Sequence, residues 1–73
     1  MKKNQNKKFE ILLIKKGISK TELAEKVGVT WQTVYYWSIG RNKPNLESVI
    51  RMAEVLGVSI QDIHKMFKGE IKK

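Results

Sequence analysis

At 73 residues and 8.5 kDa the chain has room for one small domain, which excludes a multidomain enzyme; a domain of this size buries only about 60% of its unfolded surface and is expected to hold a few kcal/mol of stability. Cysteine is absent and histidine occurs once, which excludes disulfide frameworks, thiolate metal sites and cysteine nucleophiles, argues against zinc, and agrees with a reducing cytoplasm. Fifteen Lys and Arg against seven Asp and Glu give a net charge of +8, favouring a polyanionic partner such as nucleic acid or an anionic membrane.

The chain opens with a basic arm, residues 1–6, followed by no long apolar run or small-residue cleavage site, so no secretory signal is expected and the protein is placed in the cytoplasm. The charge is uneven. Residues 1–20 sum to +6, residues 21–64 to −1 and residues 65–73 to +3. Basic ends therefore flank a near-neutral middle.

Apolar residues recur at helical spacing almost throughout, so the expected fold is all-α with five short helices. The first runs from about Asn6 to Lys16, with Phe9, Leu12 and Leu13 on one face and Gly17 as its stop. Ser19-Lys20-Thr21-Glu22 is a capping-box pattern that starts a second helix, which continues through Leu23, Ala24 and Val27 to Gly28. Thr30 caps a third, Trp31 to about Ile39, with Val34 and Trp37 turned inward and Gly40 closing it. Arg41-Asn42-Lys43-Pro44 is a basic loop that Pro44 keeps from extending that helix. Asn45 caps a fourth helix, whose stripe is Leu46, Val49, Ile50, Ala53 and Leu56, with Glu47 and Arg51 paired at i, i+4 and Gly57 at the end. Ser59 and Asp62 repeat the capping logic for a fifth helix, Ile60 to about Phe67, with Ile60, Ile63 and Phe67 as its apolar face. Residues 68–73 are a basic tail expected to fray.

The informative stretch is Lys20 to Trp37: a short helix, a turn around Gly28 and a second helix, the helix-turn-helix plan. Ala24 must be small where the second helix crosses it, and Gly28 can adopt the left-handed conformation of a sharp turn. Leu23, Val27, Val29, Val34 and Trp37 face the common core. Outward on the third helix stand Trp31, Gln32, Thr33, Tyr35 and Tyr36, hydrogen-bonding or aromatic groups with no charge among them. Such a face suits base edges.

The run from Gly17 to Thr30, with Trp37, Gly40, Pro44 and Leu56-Gly57-Val58-Ser59 in order, resembles the phage-repressor/Cro-type (XRE) helix-turn-helix family over about residues 7–67. The resemblance implies a five-helix DNA-binding domain, usually dimeric on a two-fold operator, with its third helix in the major groove. By position, Trp31, Gln32 and Tyr36 match base-contacting sites. Gln32 is the best candidate for direct readout, because a Gln amide can bond adenine N6 and N7 together. Trp31 departs from the usual polar residue there and is expected to pack on a thymine methyl or a sugar, or to shield the helix start. Ser19 and Lys20 match one phosphate clamp, and Arg41, Asn42 and Lys43 a second. Thr33 and Tyr35 join these as candidate backbone contacts. Many members carry a buried Arg–Glu pair where this chain has Leu13 and Ser38, so packing is expected to replace an ion pair.

The expected role is therefore a small transcriptional regulator, a repressor that blocks polymerase, acting on double-stranded DNA without cofactor or catalysis. Dimerisation is expected through helix five and the tail, using Ile60, Met66, Phe67 and Ile71. Set against this is a protein-interaction module, antitoxin-like or adaptor, using the same aromatic face. A membrane-surface role for the Lys-rich first helix fits poorly, since its apolar residues are needed inside. His64 has no ligand-spaced partner, and Glu22 with Glu25 form an exposed turn rather than a catalytic pair.

Overall fold

All five helices begin in the same way: the side-chain oxygens of Asn6, Ser19, Thr30, Asn45 and Ser59 each accept the backbone N–H three residues on, at 2.9–3.2 Å. Each cap satisfies a donor that the first helical turn leaves without a partner, and is worth about 1 kcal/mol. The computed structural model describes residues 6–68; the remainder of the expected arm, 1–5, and the tail beyond Lys68, including Ile71, lie outside them. The helices are α1 (Lys7–Lys16), α2 (Lys20–Val27), α3 (Trp31–Ser38), α4 (Leu46–Leu56) and α5 (Ile60–Lys68), with no strand among the described residues. The all-α, five-helix expectation holds.

One core joins all five: Phe9 and Leu13 of α1, Leu23, Ala24 and Val27 of α2, Val34 and Trp37 of α3, Val49, Met52, Ala53 and Leu56 of α4, and Ile63 of α5. Met66 and Phe67 lie against it, the Phe67 ring 5.3 Å from Phe9 and 6.4 Å from Trp37 between centroids. The stripe on α4 differs from the expected one. Leu46 and Ile50 are exposed at 70% and 37%, whereas Met52 is fully buried and Ser48 largely so. The buried arc is centred on Met52, which puts Leu46 at its edge and Ile50 beyond it. Ile60 of α5 is likewise 45% exposed.

Two glycines set the geometry around α3. Gly28, at φ 89°, turns the chain so sharply that its own N–H and that of Val29 both reach the Ala24 carbonyl, at 2.8 and 3.0 Å. Ala24 is 3% exposed beneath the densest helix contact, α2 on α3, as its small size implies. Gly40, at φ 78°, ends α3 in a Schellman motif: its N–H reaches the Trp37 carbonyl (3.2 Å) and that of Arg41 the Tyr36 carbonyl (2.9 Å).

Three long-range hydrogen bonds complete the frame, and none has a local sequence signal. The Asn6 N–H donates to the Ser38 carbonyl at 2.8 Å, and Asn6 Nδ2 to the Met66 carbonyl at 2.9 Å. One residue thus caps α1 while meeting the C-terminal ends of α3 and α5. Arg51 Nη1 donates to the Val27 carbonyl at the end of α2 (3.3 Å) while Nη2 holds Glu47 at 2.9 Å. Leu13 and Ser38 are both buried, as expected for packing in place of an ion pair, and the Ser38 hydroxyl donates to the Tyr35 carbonyl at 2.7 Å. The polar link between α1 and α3 is carried by the Asn6 backbone rather than by paired charges.

Candidate nucleic-acid interface

The outward face of α3 is ordered by its own side chains. Trp31, 49% exposed, stacks on Tyr35, 38% exposed, with centroids 5.1 Å apart and planes within 10°. The i, i+4 spacing places the rings one above the other, so Trp31 is held by Tyr35. Gln32 is exposed, and its Nε2 donates to the Tyr36 hydroxyl at 2.9 Å. Tyr36 is half-buried, with the Arg41 guanidinium 4.6 Å from its ring centroid, a cation–π arrangement. Thr33 is turned back toward the cap, its hydroxyl 2.9 Å from that of Thr30.

Arg41 brings the basic loop against this face, since the Gly40 turn fixes its backbone and its side chain covers Tyr36. Asn42 and Lys43 are exposed, and the Asn42 N–H also points at the Tyr36 carbonyl (3.4 Å). Behind the loop is an open cleft of about 320 Å³ lined by Lys43, Pro44, Val49, His64 and Phe67. His64, solitary in sequence, stands there beside a lysine.

Ser19 and Lys20 occupy the start of α2 as expected, but both are engaged. The capping box is complete: Ser19 Oγ accepts the Glu22 N–H at 3.0 Å, and Glu22 Oε1 accepts the Ser19 N–H at 3.4 Å. Lys20 Nζ lies 3.4 Å from Glu10 Oε1 of α1. Two carboxylates thus occupy donors that a phosphate would use, so an incoming anion meets competition at this end. No sequence pattern announces the Glu10 contact, since the ten-residue separation matches no local spacing.

Three features of this geometry bear on ligand class. The face of α3 offers amide, hydroxyl and aromatic groups, a basic loop adjoins it, and a helix N-terminus carries a lysine. Among the described residues no helix is long and apolar enough to cross a membrane.

Comparison with known families matches residues 10–63 to the helix-turn-helix family. Among curated proteins, the chain is 39% identical over 49 residues to an uncharacterized HTH-type transcriptional regulator of Haemophilus influenzae, a match covering 67% of this chain and 20% of that protein. It is 46% identical over 48 residues to one of Methanothermobacter thermautotrophicus, covering 64% and 70% respectively. A third, of Archaeoglobus fulgidus, is 35% identical over 49 residues, with 67% and 70% covered.

Proposed function

Because the chain belongs to the helix-turn-helix family, we propose that it binds double-stranded DNA sequence-specifically and serves as a small transcriptional regulator. In this reading α3 enters the major groove, with Trp31 and Gln32 facing the bases and Tyr36 on the same face behind Gln32. Ser19, Lys20, Thr33, Tyr35, Arg41, Asn42 and Lys43 border the phosphates. It carries out no chemistry of its own and acts in the cytoplasm as a repressor, its bound form blocking polymerase.

The observation that carries the reading is the α3 face, exposed and uncharged, with Arg41 folded against it from the adjoining loop. A groove-reading helix needs hydrogen-bonding groups toward the bases and cations toward the backbone. The description of the relatives as transcriptional regulators points the same way. A homodimer on a two-fold operator completes the proposal. The contact runs through α5 and the tail, where Ile60 is exposed and Met66 and Phe67 are only partly buried against the core.

The test is selection of bound duplexes from a random pool at about 50 and 200 mM salt, a range across which phosphate contacts reveal themselves. A recovered motif with half-sites about one helical turn apart supports a specific dimeric regulator. Failure to enrich any sequence, with binding that vanishes at the higher salt, refutes base readout. The aromatic α3 face would then belong to a protein partner.

A further inference from the structure

Tyr36 makes more contacts within the protein than a side chain reaching for a base needs. Its hydroxyl accepts from Gln32 Nε2 (2.9 Å), its ring carries the Arg41 guanidinium (4.6 Å), and its carbonyl accepts the N–H of Arg41 (2.9 Å) and faces that of Asn42 (3.4 Å). Among the described residues, these contacts join the basic loop to the exposed Gln32 through this one residue. We infer that Tyr36 is a positioning residue: it presets the Gln32 amide for paired hydrogen bonds to a base and couples that amide to the loop that holds the phosphates.

The chemistry of the amide supports this. A Gln side chain has two N–H donors and a carbonyl acceptor. With one N–H turned to the Tyr36 hydroxyl, the other and Oε1 remain free, the donor–acceptor pair that adenine N7 and N6 require. An exposed Gln otherwise samples many rotamers and loses that freedom on binding, a loss of affinity that a preset rotamer avoids. The hydroxyl alone would hold Gln32 weakly, as an i, i+4 surface contact does. Arg41 adds a second restraint by covering the ring, and the Gly40 turn fixes Arg41 in its own place. The α3 face and the phosphate-facing loop are therefore one unit, so that docking of the loop on the backbone sets the reach of Gln32 into the groove.

This inference rests on the DNA-binding reading above, and its test separates the two. Tyr36→Phe removes the hydroxyl and keeps the ring under Arg41, so the fold and the loop stay intact, as circular dichroism and the thermal midpoint will verify. In the free protein, NMR of the Gln32 side-chain amide should show restricted motion that Tyr36→Phe releases; an amide equally mobile in both proteins overturns the proposal without reference to DNA. On the selected duplex, Tyr36→Phe should weaken binding about 2- to 10-fold, and only at the base pair whose replacement abolishes the effect of Gln32→Ala. In the Gln32→Ala background it should add nothing. A loss that maps to a different base pair, or that adds in full to that of Gln32→Ala, shows Tyr36 touching DNA itself and overturns the positioning role. If no duplex is enriched at all while Tyr36 still orders the amide, the DNA reading has failed, and any role in base recognition fails with it.

Discussion

Replacing Asn6 dissects a residue that joins three helices. Its Oδ1 accepts the Phe9 N–H at 3.1 Å and caps α1, while its Nδ2 donates to the Met66 carbonyl of α5 at 2.9 Å. A lost cap costs about 1 kcal/mol and a lost partly buried hydrogen bond about another, so Asn6→Ala should destabilise by about 2 kcal/mol. Asn6→Asp separates the contributions. The carboxylate still caps, helped by the helix dipole, but cannot donate to Met66, so about 1 kcal/mol should be lost. The backbone bond from Asn6 to Ser38 survives both changes. Urea unfolding followed by fluorescence of the buried Trp37 is the assay. With a slope of about 1 kcal/mol per molar for so small a domain, the midpoint should fall by about 2 M for Ala and about 1 M for Asp. An Asp variant as stable as the wild type would show that the bond to Met66 contributes no more than the carboxylate gains from the helix dipole.

Gln32→Ala should cost about 1–3 kcal/mol on the selected duplex and little on a scrambled one, measured by fluorescence anisotropy; equal losses on both would remove Gln32 from base readout. Lys20→Ala should weaken every duplex similarly and lower the slope of log K against log salt by about one. Glu10→Gln frees Lys20 from its 3.4 Å partner and should tighten all duplexes while changing stability by less than about 1 kcal/mol; unchanged binding would mean that Lys20 never reaches a phosphate. Gly28→Ala places a side chain at φ 89°, with its Cβ 3.3 Å from Arg51 Nη1, and should destabilise by about 1–2 kcal/mol in thermal melts. Arg51→Ala in that background should not restore the loss, because the strain lies in the backbone; full recovery would place it in the side-chain contact instead.

The helices were legible from sequence because their causes are local. Ser19 with Glu22, Thr30, Asn45 and Ser59 announce starts by a hydroxyl or amide three residues before an N–H, and Gly28 and Gly40 announce reversals by permitting positive φ. The pairing of Glu47 with Arg51 and the burial of Leu23, Val34 and Trp37 follow from helical periodicity in the same way. The outward set on α3 was readable too, since a helix that must bury Val34 and Trp37 has its other faces free.

What periodicity left open was decided between elements. Met52, not Ile50, enters the core because the direction from which α2 and α5 approach α4 selects which arc is covered, and a stripe wider than that arc leaves Leu46 and Ile50 in water. The partners of Asn6, Lys20 and Arg51 lie 60, 10 and 24 residues away, separations at which no chain-local rule acts. The candidate site shows the same division. Its residue types come from the sequence, whereas the stack of Trp31 on Tyr35, the hold of Tyr36 on Gln32 and the Glu10 carboxylate beside Lys20 depend on rotamers and neighbours. Local chemistry determined which segments become helices and which groups those helices offer; the closure of five short helices on one core determined how those groups are aimed and which of them already have partners.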